Sequence, residues 1–326
     1  MILTRTPLRI SFFGGGTDFP EFFEQYGGAV LGAAIDKFIY HTVIPFPSQL
    51  FDYCARLAYS KVECVTCVEE IKHRPFREVM LYLGVTKDVE ISITSDLPAF
   101  SGVGSSSSFV VGLLKSLMAF QGRVVPQIDL AYKAIYIERE ILKEAVGCQD
   151  QVFAAMGGIN LLEFIAVDDI RVHRIPLSKN RIEELNESLM MFFTGIKRRA
   201  NDIEERKIEN LQLIKPSLLK MRQLVDRGYD ILTGNHSLEQ FGKLLDETWE
   251  MKRTLDPEVS NQAVDAMYST ALAAGATGGK LCGAGGGGFL LLYVKPERKE
   301  TVRSALENFH EIEFSCNAGG TQLVNV

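Results

Sequence analysis

The stretch that most constrains the fold of this chain runs from Pro98 to Phe109 and reads Pro-Ala-Phe-Ser-Gly-Val-Gly-Ser-Ser-Ser-Ser-Phe. Before it, residues 89–93 alternate between apolar and polar side chains, which is typical of a half-buried strand. Residues 109–118 are apolar on nearly every side, as expected of a helix inside a core. The sequence therefore predicts a strand, a loop of glycine and serine, and the N-terminus of a buried helix.

This loop has the composition of a phosphate-binding site. Glycine lets the backbone approach a ligand closely, and the first amides of a helix lack intrahelical partners and lie at the positive end of its dipole. Serine hydroxyls can bond phosphate oxygens or reach a Mg²⁺ ion. We therefore predict a binding site for a nucleotide triphosphate, formed by Gly102, Val103, Gly104, Ser105, Ser106, Ser107 and Ser108.

A serine-capped helix after a flexible turn would explain part of the same pattern, since serine is a common N-cap residue. A cap, however, needs fewer than four serines. The loop does not follow the Walker pattern, which requires Gly-Lys before Ser or Thr, because Gly104 is followed by Ser105. Amides, a metal ion and basic residues from elsewhere would have to balance the charge of the phosphates.

Length and charge limit the class of protein. A chain of 326 residues is long enough for two domains with substantial cores. The net charge of −6 argues against a large surface for nucleic acid or membranes. No apolar run is long enough to span a membrane, and the first residues lack the pattern of an export leader. We therefore expect a cytoplasmic protein.

The order of the predicted elements indicates an α+β fold, because strands and helices are mixed without a regular series of strand–helix–strand units. The composition turns polar over residues 168–185, which places a boundary between domains 1–175 and 176–326. Cys64 and Cys67 form a Cys-x-x-Cys pair, but no second pair or Cys/His partner has the spacing of a zinc site. Two ordinary thiols are the favoured interpretation.

Glu138 is the most informative residue of a helix predicted over residues 128–146, which Gly147 would end at its C′ position. It lies in an apolar stripe between Ala134 and Leu142, four residues away on either side, so no helical neighbour can pair with its charge. A carboxylate that faces a core is costly unless it is paired or bound to a metal. We predict a Mg²⁺ ligand; an ion pair with a basic residue of another segment is the alternative.

Four other polar features could have a chemical role, and each also has a structural interpretation. Asp150 could accept the proton of a substrate hydroxyl or cap the next helix. Arg9 could neutralise a phosphoryl group during transfer or be a surface arginine. Asp18 could bind sugar hydroxyls or finish a turn. The run Lys197-Arg198-Arg199 could bind a phosphate at a strand end or form a solvated helix face.

Residues 283–288 match the Gly-x-Gly-x-x-Gly pattern of dinucleotide-binding proteins. That fingerprint needs a strand before it and a helix after it, whereas here an apolar, strand-like run follows. We therefore favour a glycine loop that leaves room for a ligand or a neighbouring loop. A purely structural turn and an NAD-dependent oxidoreductase are the alternatives.

Three stretches, taken in this order, resemble the motifs of the GHMP kinases, a superfamily that includes galactokinase and the homoserine, mevalonate and phosphomevalonate kinases. They are residues 7–18, 98–108 and 280–288, and the match extends over nearly the whole chain. The resemblance implies the two-domain α+β GHMP kinase fold. Its N-terminal domain is related to a ribosomal-protein fold, its C-terminal domain is ferredoxin-like, and the active site lies in the cleft between them.

The resemblance also implies roles for individual residues. Asp150 would be the base and Arg9 the cation that stabilises the transferring group. Ser106 and Glu138 would hold Mg²⁺, and residues 102–108 would hold the phosphates of ATP. The residues that would bind the sugar or its phosphate are Gly16, Thr17, Asp18, Gly285, Gly286, Lys197 and Arg198.

Within the superfamily, segments 14–18 and 147–160 are similar to those of the heptose-phosphate kinases, which phosphorylate the anomeric hydroxyl of D-glycero-D-manno-heptose 7-phosphate. The expected partners are therefore ATP and a sugar or sugar phosphate, with Mg²⁺ as cofactor and without nucleic acid or membrane; a homodimer is left open. Fucokinase-like enzymes share the Gly-Gly-Gly-Thr-Asp sequence. A fucokinase- or galactokinase-like kinase of an unphosphorylated sugar is thus the alternative.

Overall fold

Two β-sheets with helices packed against them make up residues 1–197 and 201–324, the part of the chain that the computed structural model describes. In the first sheet, two long strands run antiparallel, β1 (Ile2–Phe13) and β2 (Gly28–Pro45). The other strands of this sheet are β3 (Ala55–Ala58), β4 (Val62–Val65), β5 (Val89–Ser95), β6 (Ile159–Ala166), β7 (Asp169–Arg174) and β12 (Gln322–Val324).

The first sheet branches at β2. The first half of this strand, from Gly28 to Ala33, pairs with β6, whereas the second half, from Ile39 to Pro45, pairs with β5. The end of β5 and the start of β6 thus flank residues 34–38 of β2, whose other edge pairs with residues 7–9 of β1. This arrangement places the loop after β5 and the helix before β6 next to each other.

The second sheet is antiparallel throughout the described residues. Its strands are β8 (Leu189–Phe193), β9 (Ala276–Leu281), β10 (Phe289–Val294) and β11 (His310–Glu311), in the order β11-β8-β10-β9. Residues 282–288, called the third glycine loop from here on, join β9 to β10. A strand follows this loop instead of a helix, which contradicts the dinucleotide fingerprint.

Helices cover the outer faces of both sheets. They are α1 (Pro20–Tyr26), α2 (Arg74–Leu83), α3 (Ser105–Phe120), α4 (Gln127–Tyr136), α5 (Gln149–Met156), α6 (Lys179–Ser188), α7 (Asn201–Glu209), α8 (Leu211–Thr233), α9 (Glu239–Arg253), α10 (Gln262–Ala273) and α11 (Lys299–Ala305). Short 3₁₀ turns occur at Ser48–Leu50, Val68–Glu70, Pro257–Val259 and Pro296–Arg298. Within the described ranges, none of the helices is both long and apolar enough to cross a bilayer.

The apolar core lies on both faces of the first sheet, because successive side chains of β1 and β2 point in opposite directions. One part packs the sheet against α2 to α5 and includes Phe76, Leu113 and Phe153. The other part packs it against α8, α9 and the second sheet, and includes Phe241 and Leu291. The two halves of the chain therefore share a core along one face of the first sheet.

The helix predicted over residues 128–146 is wrong in its second half. After Tyr136 the helix continues only as a wide turn, Ile137–Ile141, closed by a hydrogen bond that spans five residues instead of four. Lys143 then adopts a positive φ of 54° and the chain leaves the helical path. Gly147 is therefore not the C′ residue of this helix.

The second half of the chain also completes the first sheet. β12 pairs antiparallel with residues 3–5 of β1, and just before it Gly319 pairs with Gly157, directly after α5. The N–H of Thr321 donates to the carbonyl of Ala154 in α5 at 2.9 Å. The boundary after residue 175 stays a prediction, and the structure adds that the final segment returns to the first sheet.

Candidate active site

An arginine and a carboxylate form a pair beside the middle of β1. Arg9 Nε and Nη2 donate to Oδ1 and Oδ2 of Asp150, each at 2.6 Å, and Arg9 Nη1 donates to the carbonyl of Gly102 at 2.8 Å. Arg9 is 5% exposed, which rules out a surface arginine. Asp150 lies within the first turn of α5 and does not cap that helix, whose N-cap residue is Cys148. The two residues predicted to act on the phosphoryl group therefore lie together.

Residues 102–108, called the phosphate loop from here on, lie against the Arg9–Asp150 pair. The N–H of Arg9 donates to the carbonyl of Val103 at 3.0 Å. Gly104 has a φ of 75° and directly precedes α3. A Cβ at this position would lie 3.3 Å from Asp150 Oδ2 and 3.0 Å from Arg9 Cγ. Among the described side chains none caps α3, so its first amides are available to an anion.

The serines of the phosphate loop divide into two groups. Ser107 and Ser108 are buried: Ser107 Oγ donates to Glu138 Oε1 at 3.1 Å, and Ser108 Oγ donates to the carbonyl of Pro7 at 2.8 Å. Ser105 is half-buried and Ser106 is exposed. The hydroxyl of Ser108 thus holds α3 against β1. Its predicted contact with phosphate, like that of Ser106 with Mg²⁺, stays a prediction.

Glu138 is completely buried, as its apolar surroundings predicted, but its partners are neutral. Besides the bond from Ser107, Gln151 Nε2 donates to Glu138 Oε2 at 2.5 Å. The alternative of an ion pair with a basic residue is not realised in the described part of the chain. Burial, followed by the charge of Glu144, raises the pKa of Glu138 to about 8. A cation beside this carboxyl would favour its ionised form.

Asp18 lies against Gly147. Its Oδ1 accepts from the N–H of Gly16 at 2.9 Å and its Oδ2 from the N–H of Gln149 at 3.2 Å. A Cβ on Gly147 would lie 2.0 Å from Asp18 Oδ2, so only glycine fits there. Burial, followed by the charge of Asp150, raises the pKa of Asp18 to about 6. Asp18 therefore finishes a turn, as one interpretation held, and also lies close to the predicted base.

The same turn is held by Thr17. Its buried hydroxyl lies 2.8 Å from the carbonyl oxygens of both Gly14 and Ala29, between which it shares its single proton, and it accepts from the N–H of Ala29 at 3.1 Å. This hydroxyl is engaged with the backbone, so the contact of Thr17 with a sugar stays a prediction.

The third glycine loop packs directly on the phosphate loop. A Cβ on Gly283 would lie 2.5 Å from the Cα of Gly102, and a Cβ on Gly288 would lie 2.3 Å from the carbonyl oxygen of Ser101. Glycine is required at both positions because the backbone of the phosphate-loop segment, at Ser101 and Gly102, occupies the space that a side chain would need. This contact confirms the interpretation of a loop that leaves room for a neighbouring loop, and it joins the second sheet to the site.

Two of the predicted substrate contacts, Gly285 and Gly286, lie in this loop. Gly286 donates its N–H to the carbonyl of Val259 at 2.8 Å, and Gly285 faces the same residue. Lys197 is exposed in the segment between β8 and α7. Arg198 and Arg199 lie outside the described residues. The roles of Gly285, Gly286, Lys197 and Arg198 toward a substrate stay predictions.

Three lysines beside the third glycine loop were missed by sequence reasoning. Lys207, Lys252 and Lys280 are 5%, 6% and 3% exposed, and each donates through Nζ to backbone carbonyls. Lys207 and Lys252 belong to charged helices, and a lysine in such a sequence is normally expected to face solvent. Lys280 lies in an otherwise uncharged segment before the glycines. Of the three, it is the lysine whose burial the sequence could have indicated.

A helix N-terminus that is open to phosphates lies beside a buried arginine, and this arginine is paired with a partly exposed carboxylate. This combination is typical of enzymes that transfer phosphoryl groups. Two family models match the chain. The model described as "GHMP kinases N terminal domain" matches residues 65–158, and the model described as "GHMP kinases C terminal" matches residues 229–312. The chain belongs to the GHMP kinases, and it is thus a phosphotransferase with an alcohol group as acceptor.

Individual relatives agree with this assignment. The D-glycero-alpha-D-manno-heptose 7-phosphate kinase of Campylobacter jejuni subsp. jejuni is 31% identical over 98% of both chains. The bifunctional fucokinase/GDP-fucose pyrophosphorylase of Arabidopsis thaliana is 27% identical over 94% of this chain and 31% of its own length. A solved D-glycero-D-manno-heptose 1-phosphate kinase from Bacteroides thetaiotaomicron superposes with a TM-score of 0.82 at 25% identity, covering 100% of this chain and 99% of its own. The predicted family and fold are confirmed.

Proposed function

We propose that this kinase transfers the γ-phosphoryl group of ATP to the anomeric hydroxyl of D-glycero-D-manno-heptose 7-phosphate in the cytoplasm. The main support is the Arg9–Asp150 pair beside the open N-terminus of α3. The identity of the acceptor is supported by the similarity to a relative that is named as a kinase of this heptose phosphate.

In this proposal Asp150 is the base that accepts the proton of the acceptor hydroxyl. Arg9 uses one lone pair of each carboxylate oxygen, and a carboxylate retains further acceptor sites for a proton. Arg9 also brings a fixed positive charge to the place where the phosphoryl group passes. Phosphoryl transfer asks for little covalent chemistry from the protein, so positioning and charge supply most of the rate.

Mg²⁺ is proposed to bind between Glu138 and Ser106. Mg²⁺ prefers oxygen ligands and often uses only one or two carboxylates besides phosphates and water. The surroundings fit this ion, because Gln151 Oε1, on the residue that donates to Glu138, is buried without a hydrogen-bond partner among the described residues. When bound, the ion would neutralise charge on the phosphates of ATP.

The sugar is proposed to lie between the turn of residues 16–18 and the third glycine loop. Asp18 would orient its hydroxyls, since this carboxyl lies close enough to Asp150 for the charge of Asp150 to raise its pKa. Gly285 and Gly286 would line the opposite side. Lys197 and Arg198 are proposed to meet the phosphate that the sugar already has, because basic side chains bind phosphate through charge-assisted hydrogen bonds.

A coupled assay of ADP release with a panel of sugars tests the proposal. The panel contains D-glycero-D-manno-heptose with and without the 7-phosphate, L-fucose and galactose, each with ATP and Mg²⁺. We expect the highest kcat/KM for the heptose 7-phosphate. A higher kcat/KM for free fucose or galactose would overturn the assignment of the acceptor and favour the fucokinase- or galactokinase-like alternative, which the similarity to the plant enzyme supports.

A further inference from the structure

Three buried lysines lie near the third glycine loop in sequence or in space, and two of them bind it. Lysine is seldom buried to this degree unless its charge is paired. Lys252 of α9 donates through Nζ to the carbonyl of Leu281, at 2.8 Å, and to the carbonyl of Gly283. Lys207 of α7 donates through Nζ to the carbonyl of Ala284 at 3.0 Å. The loop is thus held through the carbonyl groups of Gly283 and Ala284.

Lys280 differs from the other two. Its Nζ donates to the carbonyls of Ser11 and Phe12, at 2.8 and 2.9 Å, where the pairing of β1 with β2 shifts register. Lys280 therefore joins the second sheet to the first, and it makes no hydrogen bond to the third glycine loop within the described residues. It is a buried lysine of the same kind at a different place, which makes it a useful control.

The position of the carbonyls fixes the position of the amides. In a trans peptide the C=O and the N–H point in opposite directions. Because the carbonyls of Gly283 and Ala284 point at the two ammonium groups, the N–H groups of Ala284 and Gly285 point away from them. Neither N–H donates to a protein acceptor in the described part of the chain. Two neighbouring amides therefore have no protein acceptor there, and the carbonyl of each of these peptides accepts from a lysine Nζ.

The charges near the loop are not balanced. Lys207 lies 3.2 Å from Glu204, but neither Lys252 nor Lys280 has a carboxylate within 4 Å among the described residues. Burial, followed by the charges of Lys280 and Lys207, places the pKa of Lys252 well below its usual range. A buried cation without a partner is costly. An anion at the free amides would offset this cost.

The place of the loop indicates which anion it could receive. Gly283 touches the phosphate loop at Gly102, while Lys207 borders a small cavity together with Gly16 of the turn that precedes Asp18. The third glycine loop therefore lies between the phosphate loop and the surroundings of the turn of residues 16–18. The anions that meet there in this reaction are phosphate groups.

We propose that Lys252, assisted by Lys207, is a positioning residue that turns the third glycine loop into a receptor for a phosphate monoester dianion. The proposal rests on the proposed function for the source of the dianion, which is either the phosphate that the acceptor already has or the terminal phosphate of the nucleotide. The ammonium groups do not touch the anion; they orient and polarise the amides of Ala284 and Gly285 that do.

Binding of inorganic phosphate to the whole protein tests the receptor without any catalysis, so its outcome is independent of the proposed acceptor. By calorimetry we expect Lys252→Met to weaken phosphate binding about tenfold. An anion nearby should raise the pKa of Lys252 again. Over the pH range in which Lys252 titrates, phosphate binding to the unaltered protein should therefore take up protons, measured in two buffers of different ionisation enthalpy. Lys252→Met should lose this uptake.

Two variants serve as controls. Lys280→Met removes a buried ammonium that does not bind the loop, and Lys243→Met removes an exposed charge of the same helix, α9. We expect both to bind inorganic phosphate within about threefold of the unaltered protein. Equal loss of phosphate affinity in Lys252→Met and Lys280→Met would overturn the proposal. The loss would then be caused by the removal of any buried lysine and not by the contact of Lys252 with the loop. If Lys252→Met does not fold, as judged by its Tm, Lys207→Met takes its place.

Steady-state kinetics of Lys252→Met distinguish the two sources. If the acceptor supplies the dianion, KM for the heptose 7-phosphate rises about tenfold or more while KM for ATP and the rate with free heptose stay unchanged. If the nucleotide supplies it, kcat falls with phosphorylated and free heptose alike. Unchanged phosphate affinity together with unchanged kinetics would overturn the proposal.

Discussion

At the scale of single residues, the site depends on one carboxylate that can accept a proton. Asp150→Asn keeps the shape of the side chain but removes this capacity. We expect turnover to fall about a hundredfold or more, while binding of an ATP analogue, which depends on the phosphate loop, stays unchanged. Rates from the ADP-release assay and affinities from calorimetry check both halves of this prediction. Normal turnover of Asp150→Asn would remove the residue from the proposed mechanism.

Gly147 allows a test in which no functional group is removed. A Cβ there would lie 2.0 Å from Asp18 Oδ2, so Gly147→Ala should displace the carboxyl that is proposed to orient the sugar. We expect KM for the sugar to rise about tenfold or more, with a smaller effect on KM for ATP. Initial rates at varied sugar concentration measure this.

Gly319→Ala is the matched control for Gly147→Ala, because a Cβ at residue 319 meets no atom within 4 Å and its φ is not positive. It should leave both KM values unchanged. If Gly147→Ala has the kinetics of the unaltered enzyme, Asp18 does not act in the way proposed.

At the scale of single elements, the wide turn after α4 places Glu138 beside the first turn of α3. The pKa of this carboxyl is about 8, so at neutral pH a proton competes with a metal ion for it. The apparent affinity for Mg²⁺ in the presence of nucleotide should therefore rise with pH, by up to about tenfold per unit, and level off above the pKa.

The measurement is a calorimetric titration of Mg²⁺ into the enzyme with an ATP analogue at several pH values. Glu138→Gln should bind Mg²⁺ more weakly and lose the pH dependence that the carboxyl causes. The same slope in Glu138→Gln and in the unaltered enzyme would assign the dependence to another group.

The elements also show what a sequence can predict. The phosphate loop and its helix follow from a contiguous pattern, so the order of β5, loop and α3 was predicted, although α3 already begins at Ser105, before the apolar run of residues 109–118. The end of α4 was not, because apolar spacing continues to Leu142 and neither glycine nor proline interrupts it before Gly147. The close packing of Asp18 on Gly147 depends on two segments that are distant in sequence, and the glycine was therefore mistaken for a helix cap.

At the scale of the whole molecule, the segment that ends in β12 supports both β1 and α5. Besides the pairing with β1, Thr321 Oγ1 lies 2.8 Å from Thr6 Oγ1 in a buried contact, and a Cβ on Gly320 would lie 2.1 Å from the carbonyl oxygen of Ala155. These contacts join two halves of the sequence, and no local pattern could have predicted them.

Removal of residues 315–326 should therefore lower the Tm by about 5 °C or more and reduce turnover, because α5 supplies Asp150. Thermal unfolding and the ADP-release assay measure the two effects. Leu323→Ala is the control, since the side chain of Leu323 is 45% exposed and its loss leaves the strand in place. An unchanged Tm in the shortened protein would show that this segment is dispensable.

The pairing of β12 with β1 also has a consequence for how the protein is made. The first strands leave the ribosome early, yet the partner for one edge of β1 is synthesised only after more than three hundred residues have been added. Until then that edge exposes unpaired backbone groups, which invite contact with other nascent chains. We expect chaperone dependence during translation to concentrate on this edge and to cease once β12 docks.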